Sequence, residues 1–94
     1  MSSLHIEHNV TDLAEWYETF STFEEFRSQG GVTSVSVRHG VDDPSLVAVD
    51  LEFGSTAEAR SFLELLETQV WPNSPHLGGG IPQSRILEPV GVSA

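Results

Sequence analysis

The sequence predicts one α+β domain over residues 1–94: a four-stranded antiparallel sheet carrying two helices on one face. Three observations predict it. Four segments alternate apolar and polar residues with the period of a strand. Two longer segments repeat apolar residues with the period of a helix. Clusters of Ser, Thr, Asp, Gly and Pro separate them in the order strand, helix, strand, strand, helix, strand.

The first strand covers residues 4–10. Leu4, Ile6, His8 and Val10 share one parity; His5, Glu7 and Asn9 share the other. Asp12 caps the first helix, and Glu15, three residues on, completes a capping box. Leu13, Trp16, Tyr17 and Phe20 follow at i, i+3, i+4 and i+7, which makes one apolar face. Ser21 with Glu24 reads as a second box, so a break near Ser21 and a short helix with Phe23 and Phe26 are expected, ended by Gly30-Gly31. Residues 32–39 form the second strand, where Val35 and Val37 alternate with Ser34, Ser36 and Arg38. Gly40-Val41-Asp42-Asp43-Pro44-Ser45 is a turn. Residues 46–53 form the third strand, with Val47, Val49, Leu51 and Phe53 on one face and Ala48, Asp50 and Glu52 on the other. Ser55 and Glu58 box the second helix, whose stripe is Ala59, Phe62, Leu63, Leu66 and Val70. Pro72 stops it and displaces Trp71 from helical geometry. An irregular loop over 73–83 leads to a last strand over 84–92.

This order is the split βαβ, or ferredoxin-like, β-α-β-β-α-β pattern. Its helices cover one face of the sheet. The other face is left bare, and here it carries His5, Glu7, Ser34, Ser36, Arg38, Asp50 and Glu52.

Composition excludes several function classes. Fourteen acidic residues against four basic ones give a net charge of −10, which opposes binding to nucleic acid or to an anionic membrane surface. The basic residues are all arginines: Arg27, Arg38, Arg60 and Arg85. There is no lysine for Schiff-base chemistry and no cysteine for a disulfide, a thiolate metal site or a nucleophile. Met1-Ser2-Ser3-Leu4-His5 has neither the charge nor the apolar run of a secretion signal, and no segment is long and apolar enough to span a membrane. The expected location is the cytoplasm.

Several segments resemble the dimeric α/β-barrel superfamily, which includes antibiotic-biosynthesis monooxygenases and haem-degrading monooxygenases. They are Val10-Thr11-Asp12-Leu13-Ala14-Glu15-Trp16, Arg38-His39-Gly40-Val41-Asp42-Asp43-Pro44, Val49-Asp50-Leu51-Glu52-Phe53 and Pro82-Gln83-Ser84-Arg85-Ile86-Leu87-Glu88. The resemblance covers nearly the whole chain and is strongest to small uncharacterised actinobacterial members. It implies a homodimer with the bare sheet faces packed together, and a ligand site between each sheet and its own helices. Arg38, Asp50 and Glu52 would then lie in the dimer interface.

The candidate chemistry centres on histidine, which titrates near neutral pH. By parity His8 and His39 both point toward the helices, about 10 Å apart across two strand spacings. They are expected in opposite walls of a pocket, as base or orienting group; the simpler reading is two half-exposed strand-end histidines. Trp16, Tyr17, Phe20 and Phe23 are most simply core. Trp16 or Tyr17 would roof a pocket for a flat aromatic ligand, and Trp71 and His76 would rim it. No metal is expected, because His5 and His8 face opposite sides of their strand. Asn9, Trp71 and His76 echo the haem-degrading set, but Asn9 has bare-face parity and His76 follows Trp71 too closely, so no haem or other cofactor is expected. The triple glycine at 78–80 lacks the helix N-terminus and cation of a phosphate cradle. Asp42-Asp43 reads as turn chemistry. Two functions follow: a cofactor-independent monooxygenase or cyclase acting on an aromatic or polyketide-like molecule, or a non-catalytic ligand-binding or accessory dimer.

Overall fold

The computed structural model describes residues 2–73 and 82–90. Its elements run β1 (Ser2–Asn9), α1 (Leu13–Thr22), α2 (Glu24–Gln29), β2 (Val32–His39), β3 (Leu46–Phe53), α3 (Thr56–Leu65) and β4 (Gln83–Leu87). All strand pairs are antiparallel, in the order β2-β3-β1-β4. This is an α+β fold with ferredoxin-like strand order. Among the described residues no helix is long and apolar enough to cross a membrane.

The caps form where the sequence places them for α1 and α3. Asp12 accepts a hydrogen bond from the Glu15 N–H at 3.0 Å. Ser55 accepts from the Glu58 N–H at 3.2 Å and donates to its carboxylate at 3.0 Å. The expected box at Ser21 does not form. Phe23 is the residue between α1 and α2, and the Ser21 hydroxyl instead donates back to the Tyr17 carbonyl. A hydroxyl inside a helix has that carbonyl within reach, four residues back, before any cap.

The core lies between the sheet and the helices. Leu4, Ile6, Val47, Val49, Leu51 and Phe53 rise from the sheet to meet Trp16, Ala59, Phe62 and Leu66. Phe53 and Phe62 rings stand 5.5 Å apart. A Cβ at Gly30 would lie 2.5 Å from the Phe62 ring, so the chain turns out of α2 with only a hydrogen to spare. Gly31 follows at φ +96°, a backbone conformation that favours glycine.

The structure revises five local expectations. β1 starts at Ser2, where β3 still offers Phe53 as a partner, and Val10 lies past its end, bonding to the Ser45 carbonyl. Trp71 stays helical: α3 runs on through a wide π turn at Leu66–Val70 and a 3-10 turn at Trp71–Asn73. Packing of Trp71 against the core outweighs the steric preference before proline. β4 ends at Leu87, which pairs with Ser3, rather than at Val92. Val92 lies outside the described residues. Tyr17 and Phe23 are exposed rather than core, and Val35 is 42% exposed although it faces the helix side. α3 sits over β1 and β3, and only α2 packs on β2, which leaves Val35 exposed.

β2 also carries a bulge. Val32 pairs with Phe53 but Ser34 pairs with Glu52, so Thr33 is one residue extra. The bulge puts Val32 on the same face as Val35 and Val37 despite its opposite parity.

Candidate functional site

His8 lies on the helix side of β1, opposite Val47 of β3, and His39 of β2 lies opposite the same Val47. The two histidines therefore share a row across the sheet, as parity predicts. They do not share a pocket. His8 lines a partly open, largely apolar cavity of about 100 Å³ with Trp16, Phe20, Phe62 and Trp71. His39 lines an open groove of about 830 Å³ that runs along β2 beside α1 and α2. Val47 stands between them, where α3 covers β1 and β3 while β2 meets only α2.

The surroundings of the two rings differ accordingly. The His8 ring meets Trp16 edge-on at 5.6 Å between centroids. Both of its nitrogens are buried and neither has a hydrogen-bond partner among the described residues. Burial pushes its pKa below the usual 6.5, so the imidazole is neutral at pH 7. His39 is exposed, with Nδ1 3.0 Å from the Gly40 carbonyl.

Trp16 packs under the helices, stacked on Phe20 at 5.0 Å. Trp71 lines the same cavity, so both tryptophans of the chain flank His8. Tyr17 lines the groove instead and is 55% exposed. His76 lies outside the described residues, as does the triple glycine. Asp43 serves the turn, accepting from the Ser45 N–H at 3.2 Å and its hydroxyl at 2.5 Å.

The bare face carries a separate polar network. His5 Nδ1 is 2.7 Å from Asp50 and Nε2 is 3.2 Å from Glu7. Arg38 donates to the other oxygen of Asp50 at 3.0 Å, and Ser3 donates to Glu52 at 2.7 Å. The hydrogen bond to Asp50, helped by Glu7, holds His5 above the usual 6.5.

The two shifts have opposite signs. The unfolded chain binds more protons at His8 than the folded one, so this contribution to stability is full above pH 6.5 and is lost as pH falls through the lowered pKa. The contribution of His5 is full below pH 6.5 and is lost as pH rises through the raised pKa. An NMR titration of the histidine rings is expected to show His8 titrating in more acidic solution than His5. The reverse order would contradict the burial of His8.

Sequence reasoning passed over Arg27. Its side chain is 9% exposed, and it borders both the cavity and the groove. Its guanidinium donates to the Phe20 carbonyl at 2.7 Å and lies over the Phe20 ring at 3.8 Å. Burial pulls its pKa down, yet an arginine stays protonated at neutral pH. The signal was present: Phe20, Phe23 and Arg27 fall at i, i+3 and i+7, which extends the apolar face of α1 into α2.

Among the described residues no cluster of His, Asp and Glu has the arrangement of a metal site. What the cavity offers chemically is a neutral base with two free ring nitrogens, aromatic walls and an adjacent cation. No family model, no curated protein and no solved structure matches this chain.

Proposed function

We propose that this chain is a homodimeric protein of the dimeric α/β-barrel type, similar to the antibiotic-biosynthesis monooxygenases, which holds a single-ring aromatic or enolic molecule against His8. One observation carries this reading: His8 presents a neutral imidazole with both nitrogens unpaired among the described residues, in the wall of an apolar cavity. A buried polar atom without a partner costs about 1–3 kcal/mol, and a ligand that hydrogen-bonds to it removes that cost. A neutral imidazole is also the base suited to take a proton from a phenol or enol.

In the catalytic form no cofactor is needed. The carbanion left by deprotonation passes electrons to dioxygen; one oxygen atom enters the substrate as a carbonyl and the other leaves as water. Size limits the substrate. At about 100 Å³ the cavity is smaller than one of about 150 Å³ that accommodates benzene, so a single ring seats there only with part of it in the cavity mouth, and a fused polyketide is excluded. A second reading, a non-catalytic binder, is favoured by the absence of any carboxylate from the cavity wall, which leaves His8 without an acid partner.

Resorcinol and 1,3-cyclohexanedione are suitable probes, because Trp16 and Trp71 report binding through their fluorescence. Binding with oxygen uptake that depends on His8 supports the oxygenase. Binding without turnover supports the binder. No binding by either probe rejects both.

The dimer has its own test. Arg38 is 67% exposed in the single chain, where its pair with Asp50 is worth at most about 1 kcal/mol. Packed against a second sheet, the pair becomes buried, and Arg38→Ala is expected to weaken the dimer or the fold by more than about 2 kcal/mol. Light scattering at micromolar concentration reads the assembly. A monomeric wild type, or a silent substitution, removes the proposed interface.

A further inference from the structure

Arg27 is a buried cation without a salt-bridge partner among the described residues. All fourteen acidic side chains belong to the described residues, yet none of the ion pairs there involves Arg27. At hydrogen-bond and ring-contact distance its charge is met by one carbonyl and the face of one ring, both from Phe20, and Glu24, one turn back on α2, acts on it only through space. Burying an unpaired charge is far more costly than burying a paired one. A cation kept in this state, at the border of a cavity, is complementary to a negative group arriving from outside.

The groove supports the same conclusion independently. Two arginines, Arg27 and Arg38, line it, against one carboxylate, Glu24. The cationic share of its wall is thus the reverse of the balance over the whole chain. Arg27 stands between this groove and the cavity of His8. A flat ring seated among Trp16, Phe20 and His8 would leave a substituent directed at Arg27 and the groove beyond.

We infer that the ligand held at His8 is an organic anion, a single-ring carboxylate whose charged head pairs with Arg27. This rests on the ligand site proposed above and adds its substrate class. The guanidinium fork matches a carboxylate in shape, and a charge-assisted pair out of water is stronger than a neutral hydrogen bond.

The test uses the whole chain and three probes: benzoate, its neutral isostere benzamide, and phenol, followed by tryptophan fluorescence at pH 7.5. Benzoate is expected to bind the wild type at least about tenfold more tightly than benzamide, from the strength of hydrogen bonds to charged groups. Arg27→Met should bring that ratio close to one, and Arg27→Lys should restore part of it. Near-UV circular dichroism checks that the variants keep their packing, and the wild-type ratio decides the matter if they do not. Phenol binding with equal affinities for benzoate and benzamide would overturn the anion and leave the His8 site standing. Failure of all three probes would overturn both.

Discussion

Phe53→Ala is expected to lower the unfolding free energy by about 3–5 kcal/mol. Phe53 is wholly buried, and its ring lies 5.5 Å from Phe62. It also sits at the crossing of three strands, paired with Ser2 of β1 and Val32 of β2. Truncation removes the ring from the core and leaves a space that neither strand can close, because both are held in register by their ladders. A domain of this length has only about 5–15 kcal/mol in total, so the variant would be marginal at 37 °C. Phe53→Leu keeps most of the volume and should lose under about 1.5 kcal/mol. Urea denaturation followed by far-UV circular dichroism measures both. A loss below about 1 kcal/mol for the alanine variant would mean that Phe53 is not at the centre of the core.

His8→Leu should move stability and binding in opposite directions. Leucine fills a similar space and has no polar atom to bury. Removing two unpaired ring nitrogens is expected to raise stability by about 1–3 kcal/mol. The gain should be larger at pH 5 than at pH 8, since the wild type loses stability in acid through His8 and the variant does not. The same substitution is expected to abolish binding of resorcinol and 1,3-cyclohexanedione. Thermal unfolding at both pH values, paired with fluorescence titration, reads both effects. A destabilised variant that still binds would show that His8 is a structural residue whose nitrogens are satisfied in solution.

Much of the fold was legible because strand and helix periods differ. Parity alone put His8 and His39 on the helix side and His5, Arg38, Asp50 and Glu52 on the other. The caps at Asp12 and Ser55 were legible from hydroxyl and carboxylate spacing, whereas the break between α1 and α2 falls at Phe23 without the Ser21 box that pointed to it. Coverage was not legible. A period shows which way a side chain points, but not whether a helix lies above it, so Val35 and Tyr17 read as core and are exposed. For the same reason one pocket was expected where a cavity and a groove lie on either side of Val47. Arg27 was missed because arginines are rarely buried, and the packing is what shows its guanidinium seated over the Phe20 ring. The bulge at Thr33 leaves no mark in a strand of alternating Val and Ser.

The sheet joins its first strand to its last, and that sets the order in which the chain can fold. Leu4 lies opposite Ile86, so one side of β1 finds its partner only after every other element has formed. Until then Leu4 and Ile6, central in the finished sheet, stand on an open edge whose backbone groups can template another chain. Closing so long a loop is slow, and the five residues of β4 are a short strip with which to do it. On a ribosome the domain would wait with β1 unshielded until residues 83–87 emerge. A chain interrupted before them would be left with that edge exposed to its neighbours.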